Sequence, residues 1–201
     1  MLSNAQGRTG KEYDKVCWWR EEYLVDEEEL HSGAELLREI KKDGSSFVLR
    51  FSRLAAAVGP ADKVQGLPAR SSCQLDIALS YPHGLTFSIA GFSFSGDVHL
   101  DGGTYALQSA TYYFRGSPLS AAVVKKFGGP LSGHYVTKDD ATMDVDVPVY
   151  SSCTSNRNLT IKLECAAIND GQPERFAAIS VDKLDGKVTV KAHLSWKRCH
   201  G

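Results

Sequence analysis

Asp97, His99 and Asp101 occupy alternate positions in the run Asp97-Val98-His99-Leu100-Asp101. In an extended chain successive side chains point to opposite faces, so these three share one face while Val98 and Leu100 take the other. Carboxylate and imidazole are donors for zinc and related divalent ions. Same-face neighbours stand about 7 Å apart along a strand, so gathering all three on one ion would require a bulge or strong twist. The expectation is a solvated polar face and no metal, with Asp97, His99 and Asp101 as the candidates should one bind. Asp140, Asp144 and Asp146 form a looser acidic group. They lack the glycine-centred loop and terminal glutamate of an EF-hand and are also read as solvated.

Nucleophile signals fall short. Gly91-Phe92-Ser93-Phe94-Ser95 places Ser95 where a nucleophile elbow needs its final glycine. Ser180-Val181-Asp182-Lys183 has Ser-x-x-Lys spacing without companion motifs, and His83 and His134 are lone histidines near turns. Nothing here calls for a cofactor or specifies a catalytic set. Tyrosines offer a non-catalytic route, because an aromatic ring can stack on a sugar while its hydroxyl forms hydrogen bonds. Tyr112 and Phe114 share a strand face, so Tyr113 points the other way, where Tyr135 or Tyr150 could join it. Tyr113 and Tyr135 are the candidate ligand-binding residues.

The elements that must position these groups are mostly strands. Ser32 with Glu35 three positions later matches a capping box, predicting a short helix bearing Leu36, Leu37 and Ile40. The acidic run Glu27-Glu28-Glu29 fits an exposed extension, and residues 1–45 are assigned to it. From Phe47 the period becomes two: Phe47, Leu49 and Phe51, then Cys73 to Tyr81, alternate with polar or small residues. Leu85, Phe87 and Ile89 form one run, and Phe92, Phe94, Val98 and Leu100 a second, ending at Asp101-Gly102-Gly103. Further strands are expected at 105–114, 135–138, 143–149, 159–165 and 179–184. Asp185-Gly186 suits a type I′ turn and predicts a terminal hairpin. Its second arm places Val188, Val190, Ala192, Leu194 and Trp196 on a buried face. Residues 46–201 therefore read as an all-β, antiparallel sandwich-like domain following a short helical N-terminal extension.

Composition narrows the functional classes. The 201 residues carry 23 Lys plus Arg against 24 Asp plus Glu, a formal charge of −1, which removes the electrostatic attraction of a dedicated nucleic-acid or anionic-membrane binder. No apolar run approaches the roughly 18 residues of a membrane span. Met1-Leu2-Ser3-Asn4-Ala5-Gln6 lacks the apolar core of a signal peptide. Taken literally, the chain would stay in the cytosol. The five cysteines, at 17, 73, 153, 165 and 199, lack zinc-site spacing. They are compatible with two disulfides and a free thiol, or with five reduced thiols.

An ordered succession of motifs adds to this: Cys73-Gln74-Leu75, Tyr81-Pro82-His83-Gly84, Phe94-Ser95-Gly96, Leu100-Asp101, Tyr112-Tyr113-Phe114-Arg115-Gly116 and Gly129-Pro130-Leu131. Leu184-Asp185-Gly186-Lys187-Val188 and Trp196-Lys197-Arg198-Cys199 complete it. From about Phe47 to Cys199 the chain resembles a family of small secreted proteins, common in filamentous fungi, known as domain of unknown function 4360. The resemblance implies a β-rich secreted domain, an oxidising compartment and paired cysteines, and no activity. The family's upstream cysteine in a Gly-Cys-Pro setting has no match, and residues 1–45 depart from the pattern. Cys73, Cys153 and Cys199 fall at family-like positions, implying a Cys153–Cys199 disulfide worth about 4 kcal/mol in the chain-entropy model. Cys165, in register with Leu159, Ile161 and Leu163, is expected to be a buried free thiol, and the partner of Cys73 is left open. Asn158-Leu159-Thr160 is a glycosylation sequon, for use if the chain is secreted. The expected role is binding a glycan, host or cell surface, or serving as a structural component outside the cell. The alternative is an extracellular hydrolase using surface carboxylates or histidines.

Overall fold

The period-two pattern becomes two β-sheets packed face to face in a computed structural model of the chain. The structure describes residues 14–21, 39–40, 44–51, 54–64, 66–78, 81, 84–137, 148–180 and 188–199. The first sheet runs β1 (Asp14–Glu21), β5 (Arg70–Ile77), β10 (Leu159–Ile168), β7 (Tyr105–Phe114) and β8 (Ser120–Gly128). Its pairs are antiparallel except β1 with β5, which is parallel. The second runs β2 (Glu39–Ile40), β3 (Ser46–Phe51), β12 (Val188–Arg198), β6 (Leu85–Leu100), β11 (Ala177–Ser180) and β4 (Ala56–Val58), with β9 (Leu131–Val136) also paired to β6. The helix among the described residues is α1 (Ala61–Val64), a single turn that begins directly after Pro60.

The all-β sandwich reading holds. Within residues 1–45, the described segments 14–21 and 39–40 are strands that join the two sheets. Most of the expected helix lies outside the described residues, but its last position, Ile40, is a strand residue opposite Phe47. The expected strand at 143–149 lies largely outside the described residues as well.

β6 is one strand of 16 residues where two runs were expected. The apolar positions switch from odd (Phe87, Ile89) to even (Phe92, Phe94, Val98, Leu100). Between the two phases Ile89 faces Leu194 and Gly91 faces His193, leaving Ala90 as an extra, exposed residue. A β-bulge thus absorbs the change of phase without ending the strand.

The terminal hairpin is not formed. β11 pairs antiparallel with the Asp97–Leu100 end of β6, and β12 pairs antiparallel with its Leu85–Ser95 portion. The two strands therefore run in the same direction along β6 and cannot be two arms of one hairpin. The Asp185-Gly186 step itself lies outside the described residues. Local turn chemistry matched, but pairing with the longest strand of the sandwich satisfied more backbone than pairing of two short neighbours.

The core forms where the inner faces of β6, β7 and β10 meet. Phe87, Phe92, Phe94, Tyr112, Phe114, Leu159, Ile161, Leu163 and Ile179 are all buried. Phe87 of the second sheet packs edge-on against Phe114 of the first at 5.2 Å, and Phe92 against Tyr112 at 6.3 Å. Such edge-to-face pairs add to the burial of apolar area that drives folding. The Tyr112 hydroxyl lies 3.0 Å from Ser88 Oγ and donates toward the Ile89 and Val149 carbonyls. Burial holds its pKa above the usual phenol value.

Candidate functional site

The outward face of β6 carries the acidic and imidazole groups singled out above, and β9 supplies their neighbours. The ladder sets Asp97 opposite His134 and His99 opposite Ser132. Asp97 Oδ1 lies 3.4 Å from His134 Nδ1, and His99 Nδ1 lies 3.0 Å from Ser132 Oγ. His99 Nε2 is 3.9 Å from Asp101 Oδ1, and its ring leans on Phe176. The donors thus divide into separate cross-strand contacts. Among the described residues no group of three or more His, Cys, Asp or Glu side chains converges for a metal ion. All four ionisable side chains are substantially exposed, where water screens their attraction.

Asp101 has a different occupation. Its Oδ2 accepts the Phe176 N–H at 2.7 Å, and its own N–H donates to Phe176 O at 2.9 Å. Its carbonyl accepts both the backbone N–H and the hydroxyl of Thr104, and Thr104 O accepts the Gly129 N–H. A Cβ at position 129 would collide with Asp101 O, so glycine is needed there for close backbone approach. Asp101 therefore ties together the β6–β7 turn, the β8–β9 crossing and the entry to β11.

The two candidate tyrosines are separated by the first sheet. Tyr113 stands half-buried on the outer face of β7, between Thr160 of β10 and Ser120 of β8 in register. Beside them the Thr160 hydroxyl donates to Asp76, whose carboxylate lies 3.9 Å from Arg115. Tyr135 belongs to the second sheet and points inward, 9% exposed, with its ring 4.6 Å from Phe127. Its hydroxyl donates to Gln108 Oε1, and burial raises its pKa. Tyr150 bridges Ser88, and the Lys197 ammonium sits 4.3 Å above its ring.

Gln108 is the inward polar residue that the sequence reading passed over. The β7 alternation Ala106, Gln108, Ala110, Tyr112, Phe114 is the signal that could have placed it inside. Opposite it in register is Cys165, the buried free thiol that was expected. Burial pushes that thiol up to about 12, so it stays protonated at neutral pH.

At the other end of β6 the Cys153–Cys199 disulfide is present, with Cα atoms 5.9 Å apart. Cys73 is disulfide-bonded as well, and among the described residues the free cysteine is Cys165. Around Cys199 the Trp196 indole N–H donates to Gly44 O at 2.9 Å, and its ring packs 5.2 Å from Phe87. The Tyr81 hydroxyl donates to Ser152 O. Asn158 is half-buried immediately before β10, and Thr160 of its sequon is buried within that strand.

Comparison with known proteins finds a match between residues 35–199 and the family model for a domain of unknown function, DUF4360. An uncharacterized secreted protein of Arthroderma benhamiae is 27% identical over 160 residues, covering 80% of this chain and 63% of that protein. The chain thus spans less than two thirds of the length of this curated relative. No helix among the described residues is long and apolar enough to cross a membrane.

Proposed function

The chain belongs to the DUF4360 family, domain of unknown function, and on that premise we propose that it is a secreted β-sandwich that acts by binding a glycan or a host or cell surface, without catalysis. The similarity to a relative named as secreted and the two disulfide-bonded cysteines at the end of β6 support an oxidising compartment. The observation that carries the binding reading is the setting of Tyr113. Its ring stands on an outward sheet face, bordered by Ser120, Thr160, Asp76 and Arg115. An aromatic surface ringed by hydroxyl, carboxylate and guanidinium groups matches what a sugar presents, with an apolar ring face and a hydroxylated rim. Tyr135 supports the fold beneath that reading instead of contacting ligand, because its ring and hydroxyl are both engaged inside.

The hydrolase alternative has less to stand on. Its carboxylates and imidazoles lie along an open strand face, where the water exclusion that strengthens acid–base and nucleophilic chemistry is missing. The binding reading is tested by passing exported protein over insoluble polysaccharides and a glycan array. Retention should fall at least tenfold on Tyr113→Ala and largely survive Tyr113→Phe. Uniform failure of the parent protein to bind overturns it. In the secreted form Asn158 carries an N-linked glycan on this reading; enzymatic deglycosylation should lower the intact mass, and an unmodified Asn158 overturns that part.

A further inference from the structure

We propose that Cys17 and Cys73 are joined by a second disulfide, which fastens β1 to β5 at the end of the first sheet. Cys73 is disulfide-bonded, and its partner comes from the remaining cysteines of the chain. Cys153 and Cys199 are bonded to each other, and Cys165 is free. That leaves Cys17.

The strand pairing reaches the same residue independently. β1 and β5 run parallel, and their register sets position 17 beside Cys73. Neighbouring strands lie about 4.8 Å apart, within the span of roughly 4.4 to 6.8 Å between Cα atoms that a disulfide bridges. Cys165 has no such place. It belongs to β10 on the other side of β5, where Leu163 is opposite Cys73 and Ser71 is opposite Cys165. A slip of β1 by one residue would set position 17 beside Ser72 or Gln74 and move it to the other face. The bond therefore fixes register as well as attachment.

β1 has particular need of such a tie. Among the described residues it pairs with β5 alone, and a parallel neighbour cannot be held by a tight turn. The chain between the two cysteines carries β2, β3 and β4 into the other sheet before it returns as β5. Closing so long a loop restricts the unfolded chain. Cys73 is buried, which shields the finished bond from thiols in solution.

Forming the bond takes two protons and two electrons from the two thiols. The oxidant is a carrier disulfide of the export route: attack by one thiolate gives a mixed disulfide and frees one carrier thiol, and attack by the second closes the bond and frees the other. The cross-link thus rests on the secreted reading, since a cytosolic thiol pool would keep both cysteines reduced.

Peptide mapping of the exported chain, denatured and alkylated before digestion without reduction, is the test. A linked pair of peptides holding Cys17 and Cys73 is expected beside the Cys153–Cys199 pair, with Cys165 alone alkylated. Alkylated Cys17 together with an intact Cys153–Cys199 bridge overturns the pairing and leaves the secreted reading standing, whereas alkylation of every cysteine overturns both. Cys17→Ser should add one free thiol per denatured chain and speed amide exchange along β1 at least tenfold, with β7 and β10 unchanged. Equal exchange along β1 in parent and variant overturns the fastening role. The mapping uses the parent chain, so it decides the pairing even if the serine variant misfolds.

Discussion

β6 is closed at its two ends by different physics. At the Leu85 end, Cys199 N–H donates to Gly84 O and the adjoining Cys153–Cys199 bridge spans 46 positions of sequence. Phe87, Tyr81 and Trp196 pack their rings there. At the Leu100 end the closure is polar: the Asp101 carboxylate and backbone bind Phe176, and Gly129 is pressed against the Asp101 carbonyl. The first closure acts largely on the unfolded chain, whose freedom the bridge restricts. The second acts in the folded state, where each hydrogen bond must be met at the right distance. The comparison also accounts for the family-like motifs. Tyr81 and Gly84 meet Trp196 and Cys199 at one end, while Leu100-Asp101 and Gly129-Pro130-Leu131 meet at the other. The described residues of both sets hold the sandwich shut.

The difference can be broken by experiment. Replacing Cys153 and Cys199 together by serine should cost about 4 kcal/mol, read as a lower urea midpoint, if the bridge acts through chain entropy. A loss no greater than that of the polar end would remove the distinction. Asp101→Ala should cost about 1 to 2 kcal/mol by the same measurement, for a charged acceptor that is partly exposed. A neutral result would show that water replaces the carboxylate and that the polar end is held by backbone alone. Trp196→Phe keeps an aromatic ring but deletes the N–H to Gly44 O, and should cost about 1 kcal/mol. Outside both ends, His134→Ala should change stability by less than about 0.5 kcal/mol, since its contact with Asp97 is solvent-screened. A larger effect would mean that the β6–β9 face holds a third closure.

Reading the strands from alternation worked where one face was apolar and the other polar. β7 spans Tyr105–Phe114, the same interval expected from sequence, and β10 and β12 begin where their patterns do. β8 was missed because Ala121, Ala122, Val123 and Val124 are apolar on both faces, which erases the period. The terminal hairpin failed for a related reason: a turn signal reports what two residues tolerate, not which distant strand the flanking segments will join. The candidate site followed the same division. Asp97, His99 and Asp101 share a face as the alternation required, yet the β9 partners of the first two, and Phe176 for the third, are set by pairings far off in the chain. Tyr113 and Tyr135 could be named as tyrosines on strands, but only the packing of the sheets put one outside and the other against Gln108.

The amino-acid sequence alone determined that this chain folds as strands, because alternation depends on neighbours one and two positions apart and on the requirement that apolar side chains leave water. It also supplied the cysteines for a covalent closure. Tertiary structure decided which strands lie side by side, which thiol is left over in the interior, and which carboxylate became a brace instead of a ligand. Those outcomes depend on backbone groups distant in sequence finding partners together, a sum over the whole sandwich that no local pattern contains.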